Sequence, residues 1–299
     1  MPRTWDGLTI LAMTVGIAAV SSSGALIVLA AAPGLAIAFW RNGLAAAALA
    51  PISLTVRRGE LVSGTHKWSL MAGLALAVHF GTWVPSVKLT TVATATALGC
   101  SQPIWAGLIA AVLGRRLPLL AWLGIVVAVS GALVAIGPDF RTGGTALLGD
   151  VLATIGGLAG AVYTLLGERA RQGFTTTTYT FVCYGVCAGA LLLVCVVFGV
   201  PLIGYTATTW AAIAALTVGA QLLGHSMFNY AVHKIPATTI SVLVLLEVPG
   251  AGLLGWLLLG QTVPPAAIAG IAMLIVGVAM VVLSPGGRIA PRRPRASVP

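Results

Sequence analysis

The sequence predicts an all-α integral membrane protein, with ten transmembrane helices arranged as two inverted five-helix repeats. Three observations predict it. Of 299 residues, 59% are hydrophobic and only 7% charged, with a mean hydropathy of +1.04, a composition foreign to the surface of a water-soluble domain. Apolar runs long enough to cross a hydrocarbon core, about 20 residues for about 30 Å, recur ten times between turn signals. The chain also matches itself: shifted by 146 positions, His79 to Gly131 falls on His225 to Gly277 without a gap.

Rare residues carry the self-match. His79 meets His225, Lys88 meets Lys234, Pro103 meets Pro249 and Pro118 meets Pro264, while Gly73, Gly114, Gly124 and Gly131 meet Gly219, Gly260, Gly270 and Gly277. In a chain rich in Ala, Leu, Gly and Val, chance identities fall on common residues, so coincident His, Lys and Pro mark two copies of one unit. The expected boundaries are 1–140 for the first five-helix repeat and 141–284 for the second. Residues 285–299 form a Pro- and Arg-rich tail expected to be disordered and cytoplasmic.

The spans follow in order. Gly7 to Leu29 opens behind a basic start and stops before Ala30, Ala31 and Ala32. A cleaved signal peptide shares that pattern, but the first repeat needs this helix to match its twin. Gly34 to Val56 carries Arg41 inside its apolar run, Trp68 to Val87 carries His79 and Trp83, and Thr91 to Leu113 carries Gln102 and Pro103. Leu119 to Ile136, behind Pro118, completes the first repeat. The second runs Thr145 to Gly167, Thr176 to Gly199, Ala207 to Tyr230, Ala237 to Leu259 and Pro265 to Leu283. Strands are not expected, because open sheet edges do not survive in hydrocarbon and no ten-residue alternation suggests a barrel.

A net charge of +10 and a pI near 10.2 would suggest nucleic acid for a soluble protein, but the placement of the charges decides otherwise. With the N-terminus inside, 13 of the 16 Lys and Arg residues fall on cytoplasmic segments, from Arg3 to Arg295; only Lys88 and Arg141 fall outside, and Arg41 lies within a span. That bias places both termini in the cytoplasm, at the plasma membrane, with the lipid bilayer rather than nucleic acid as partner. Five helices per repeat then invert the second repeat, leaving Lys88 outside and its twin Lys234 inside. Cys100, Cys183, Cys187 and Cys195 all lie within spans as small apolar packers, so neither a disulfide frame nor a metal or cofactor site is indicated.

Two stretches carry a family resemblance: Ala93 to Leu117, ATATALGCSQPIWAGLIAAVLGRRL, and Thr239 to Val263, TISVLVLLEVPGAGLLGWLLLGQTV, joined by GAVY at Gly160 to Tyr163. Each half has a proline-bearing fourth helix closed by a Gly-plus-polar turn. In this the chain resembles the drug/metabolite transporter superfamily, specifically its EamA-type members, over almost its whole length. The resemblance implies a ten-helix secondary transporter, an exporter or exchanger of small metabolites, with a central cavity shared by both halves. Such members usually show a Glu after the Gly that closes each fourth helix; here those positions hold Arg115 and Gln261.

Candidate pathway residues are the polar ones inside spans. Glu247 lies about 10 residues into its helix, about 15 Å deep, and suits a proton site or a counter-charge for an amino group; the alternative is a neutral structural carboxyl. His79 and His225 fit proton relay or satisfied packing. Gln221, His225 and Asn229 recur every four residues as a polar stripe, whereas the equivalent face of the first half is Ala75, His79 and Trp83. Thr94, Ser101, Gln102 and Trp105 gather on one side of the fourth helix. Beside them Pro103, like Pro249 in the twin, frees a carbonyl about a turn earlier and offers a hinge. Arg41 suits a substrate carboxylate or phosphate, or a structural tie to backbone carbonyls. Tyr163 and Ser21, Ser22 and Ser23 offer hydroxyls. Asp150, Glu168, Arg169 and Arg171, near helix ends, are expected to face water.

No GxxxxGK[ST] segment is present, so active transport must draw on a gradient. The expected activity is alternating-access movement of a small polar or amphipathic metabolite, an amino acid or amine, with proton exchange through Glu247 and a histidine as one energy source. An enzyme acting on lipid-linked substrates is the alternative, and six scattered carboxylates with no DxxD or ExxE pair argue against it. A scaffold without substrate would leave the polar stripe unexplained. Gly-rich helices pack equally well within a chain and between chains, so the expected unit is a monomer or a homodimer.

Overall fold

The computed structural model describes residues 6–90, 92–99, 101–115, 117–136, 144–259 and 265–284. Cys100, Arg116, Arg141, Gln261 and the basic tail lie outside the described residues, as does the side chain of Thr94. Every described element is helical. In the first half these are α1 (Gly7–Val20), α2 (Ser23–Leu29), α3 (Gly34–Thr55), the short α4 (Arg58–Ser63), α5 (Lys67–Leu89), α6 (Val92–Gly99), α7 (Gln102–Val112) and α8 (Leu119–Ile136). The second half continues with α9 (Thr145–Ala170), α10 (Thr176–Val197), α11 (Ala207–Leu216), a π-helix (Thr217–His225), α12 (Ser226–Ala231), α13 (Ala237–Val244), α14 (Glu247–Leu259) and α15 (Pro265–Leu283).

Among the described residues, seven segments are long and apolar enough to cross a membrane: Gly7–Leu29, Gly34–Thr55, Lys67–Leu89, Thr145–Ala170, Thr176–Val197, Ala207–Ala231 and Ala237–Leu254. Shorter apolar helices, Gln102–Val112, Leu119–Val134 and Ile268–Leu283, stand where the fourth, fifth and tenth spans are expected. Polarity runs inside out. Leu8, Leu11, Leu74, Leu193, Val196 and Ile275 are exposed, while Arg41, Asn42, Gln221 and Asn229 are buried. That arrangement needs lipid as the outer solvent and makes this an integral membrane protein.

Small residues set the closest helix contacts. Helix α8 packs along α15, where a Cβ on Gly131 would collide with the Leu274 backbone nitrogen and one on Gly277 with that of Ala128. Only glycine allows this approach, and the two glycines are repeat twins. Helix α5 packs along α9, with Gly156 against Trp83 and Gly160 against His79. Helix α10 packs on α3 and α5, and α1 on the π-helix and α12.

Among the described residues, three of the expected spans are interrupted. The first is split between α1 and α2 at Ser21 and Ser22, whose hydroxyls donate to the carbonyls of Ile17 and Ala19. The fourth stops at Gly99 and resumes at Gln102, and its repeat twin stops at Val244 and resumes at Glu247. Offset by 146, the two interruptions coincide to within one residue. Prolines explain them: Pro103 and Pro249 lack the N–H that would bond four residues back, and the chain tightens to three-residue spacing instead. Ser101 N–H donates to Leu98, Leu246 to Leu243 and Val248 to Leu245. Two expectations are corrected here. Glu247 is the first residue of a helix rather than the middle of one, and the expected α-helix around Gln221 and His225 is π-helical.

Candidate functional site

The interruptions and the π-helix surround one central cavity of about 70 Å³. That is room for several waters or the head of a small solute. Helix α3 supplies Arg41; α5 supplies His79, Phe80 and Trp83; α7 supplies Gln102; α9 supplies Tyr163 and Thr164. From the second half come His225 at the end of the π-helix, Asn229 on α12, and Glu247 at the start of α14. Ser23, at the start of α2, also faces it.

The two histidines are neighbours, with ring centroids 6.3 Å apart. They are held differently. His79 Nδ1 lies 2.8 Å from the Gly156 carbonyl oxygen, which fixes Nδ1 as the donor in the neutral ring and leaves Nε2 free. Its ring is parallel to that of Trp83 at 6.2 Å, and Gly160 admits it against α9. His225 is packed by rings instead, edge-on to Phe80 at 5.1 Å and beside Tyr163 and Phe228.

Arg41 is fully buried. Its Nε donates to Gln221 Oε1 at 2.9 Å, and its guanidinium carbon lies 4.1 Å from the Phe80 ring centroid. Gln221 Nε2 donates in turn to Asn42 Oδ1 at 3.0 Å, and Asn42 Nδ2 to the Ala38 carbonyl at 2.9 Å. A second network leaves the cavity along α12. Tyr163 donates to Asn229 Oδ1 at 2.8 Å, Tyr184 pairs with Ser226 at 3.1 Å, and Arg171 Nε donates to the Asn229 carbonyl at 2.9 Å. Gln102 Nε2 reaches both Thr164 Oγ1 at 3.1 Å and Ser241 Oγ at 3.3 Å, bridging the halves. Ser21 Oγ donates to the Glu247 carbonyl at 3.4 Å, so the broken first span meets the broken ninth.

Of the nine polar and aromatic candidates, Arg41, His79, Trp83, Gln102, Tyr163, His225, Asn229 and Glu247 line the cavity. Gln221 stands behind it, as the residue that holds Arg41. Pro103 and Pro249 lie in the first turns after the interruptions, away from the cavity wall. Sequence reasoning missed Phe80, Asn42, Thr164 and Ser241. Asn42 carried a signal, since a second polar residue beside Arg41 in an apolar run is costly unless bonded.

Two residues expected to face water do not. Glu168 and Arg171 are 2% and 7% exposed. Glu168 pairs with Arg115 at 2.8 Å, and Arg171 spends its donors on the carbonyls of Asn229 and Phe174. Arg115 occupies a position where the resembled family usually has Glu, and here it meets a carboxylate from α9 instead. Asp6 and Lys234 pair at 2.6 Å outside the spans; the Lys234 ammonium, then Thr9, whose N–H donates to Oδ1, hold the Asp6 carboxyl down at about 2.

These features define a polytopic helical membrane protein with a cavity between its two halves, lined by polar side chains among aromatic and aliphatic ones. Comparison with known proteins places it further. Residues 4–137 and 147–283 each match the EamA-like transporter family, and the chain belongs to that family. It is 23% identical over 196 residues, 66% of this chain and 69% of the relative, to an uncharacterized transporter of Archaeoglobus fulgidus. A second uncharacterized transporter, from Clostridium kluyveri, is 23% identical over 212 residues, 68% of each chain. A crystal structure described only as that of a protein superposes with a TM-score of 0.77 at 19% identity, covering 94% of this chain and 99% of the other. That likeness is one of fold. Family and relatives together make this a membrane transporter.

Proposed function

We propose that the protein is a gradient-driven carrier that moves a small polar or amphipathic metabolite, such as an amino acid or amine, across the plasma membrane by alternating access, as an exporter or exchanger. The carrying observation is the central cavity that gathers Arg41, His79, His225 and Glu247 from both halves of a chain with few charges inside its spans. Ionisable groups at membrane depth are costly and mark solute or ion routes. Glu247 is the proton site or the counter-charge for an amino group. The broken fourth and ninth spans supply the flexible backbone around it.

Inversion of the halves is part of the proposal. Lys234 pairs with Asp6, just before the first span, whereas its twin Lys88 donates to the Ala30 carbonyl just after that span, at 2.8 Å. Twins at opposite ends of one span support repeats that cross the bilayer in opposite senses, with both termini cytoplasmic. The unit acts as a monomer or homodimer on a small-molecule substrate in the bilayer.

The test is efflux and uptake of a metabolite panel by purified protein in liposomes, with and without a pH gradient. Substrate-specific flux that responds to the gradient in wild type and loses that response in Glu247→Gln is expected. Unchanged rate and pH dependence in Glu247→Gln would remove the proton role, and no flux of any solute would remove the carrier.

A further inference from the structure

The Arg41 guanidinium is incompletely used. Arginine stays charged at any physiological pH and carries five N–H donors in one plane. Stacking on Phe80 engages the face of that plane, and Gln221 takes the Nε–H. Nη1 and Nη2, both buried, have no hydrogen-bond partner among the described residues. The free edge is therefore the two-pronged one, and Arg41 lines the cavity.

Its orientation is fixed. Asn42 donates to the Ala38 carbonyl and accepts from Gln221 Nε2, which turns the Gln221 oxygen toward Arg41 Nε. A guanidinium pinned at Nε and on one face cannot rotate to satisfy its remaining donors elsewhere. A buried charge held with open donors is expensive unless a ligand completes it.

We propose that Arg41 is the receptor for a carboxylate on the transported solute, bound end-on through Nη1 and Nη2 and aimed by the Gln221 and Asn42 amides. The inference deepens the carrier assignment above and rests on it for the word transported, but not for binding. Two parallel N–H donors match the two oxygens of a carboxylate. A phosphate dianion fits less well: among the described residues Arg41 is the only Lys or Arg on the cavity wall, and Glu247 lies on the same wall. Among the described residues Glu247 is not an ion-pair partner of Arg41; the pairs are Arg57 with Glu60, Arg115 with Glu168 and Lys234 with Asp6.

The experiment is thermal-shift and tryptophan-fluorescence titration of detergent-solubilised full-length protein. The probes are acetate, propionate and the proteinogenic amino acids, each beside its amide or methyl ester, with inorganic phosphate as the competing anion. We expect at least one carboxylate to bind at least about tenfold more tightly than its own amide, the scale of losing one charge-assisted hydrogen bond. Arg41→Gln should erase that preference, and Arg41→Lys should keep a weak remnant without the two-pronged geometry. Equal binding of acids and amides, tighter binding of phosphate than of every carboxylate, or no binding by any carboxylate overturns the proposal; the wild-type panel alone decides this if a variant fails to fold. Carboxylate binding without flux in liposomes would sink the carrier and leave the receptor standing. Flux of a solute lacking a carboxyl, with no carboxylate bound, would do the reverse.

Discussion

In the segment expected as the fourth span the helix stops at Gly99 and resumes at Gln102, with Ser101 in the gap; 146 positions on, the segment expected as the ninth stops at Val244 and resumes at Glu247, the twin of Ser101. Backbone and proline are shared by the two places, yet their chemistry differs. Ser101 is satisfied locally, accepting from Trp105 Nε1 at 3.1 Å, and α9 presses Gly157 against it. The Glu247 carboxyl has no hydrogen-bond partner among the described residues and opens on the cavity. The duplicated device is thus a broken helix, and the second copy alone carries an ionisable group there. The largest expected effect follows from that asymmetry. Glu247→Gln should lower gradient-driven flux by about a hundredfold or more, the low end of what losing a proton-transfer group costs, while Ser101→Ala should leave it within about twofold. Flux assays in liposomes on the same day's preparations check both, and equal losses would erase the distinction between the halves.

The next effect concerns stability at the α8–α15 seam. A Cβ at Gly277 meets the Ala128 backbone, which cannot move as a side-chain tip can. Gly277→Val should cost about 1–3 kcal/mol by overpacking, read as a lowered unfolding temperature in detergent. Gly252, with open space around its missing Cβ, is the control, and Gly252→Ala should be neutral or slightly stabilising.

The histidine twins sharpen the comparison at smaller scale. His79 is anchored to the Gly156 carbonyl, so His79→Phe keeps ring volume and loses about 1 kcal/mol of hydrogen bonding. His225 has ring contacts but no hydrogen-bond partner among the described residues, so His225→Phe should barely change the unfolding temperature. Its cost should fall on flux and its pH profile. If His225→Phe destabilises as much as His79→Phe, both histidines are packing residues and neither is the relay.

Repeat, span positions and most of the cavity wall were legible because each leaves a compositional trace: an aligned rare residue, an apolar run, a polar side chain where lipid is the alternative. The helix break at Glu247 was half legible. Pro249 announced a lost hydrogen bond, but a tightened turn that makes Glu247 a helix start depends on how the freed carbonyls are reused. The π-helix left no trace, since a change of hydrogen-bond spacing over Thr217–His225 demands no particular residues. Partners distant in sequence were also hidden. Arg41 meets Gln221 180 positions away, and Glu168 is buried because Arg115 arrives from 53 positions upstream. Proximity to a helix end suggested water for Glu168 and Arg171, and tertiary packing overrode it.

The smallest expected effect lies with the lysine twins. Lys234 faces a carboxylate and Tyr230, with Nζ 2.6 Å from Asp6 and 3.0 Å from the phenol oxygen, whereas among the described residues Lys88 donates to the Ala30 carbonyl alone. The Asp6 carboxyl is held at about 2, below its usual 3.8, first by the Lys234 ammonium and then by Thr9. A folded value below the unfolded one means that its stabilisation is present above about 3.8 and fades as pH falls through about 2. Near neutral pH the pair is therefore intact but exposed and screened by salt, so its contribution is slight. Asp6→Asn keeps a side-chain oxygen to cap α1 through the Thr9 N–H while removing the charge. Its unfolding temperature should match wild type at physiological salt, with any difference growing as salt is withdrawn. A large loss at high salt would show that Asp6 and Lys234 lock this end of the molecule through contacts other than charge.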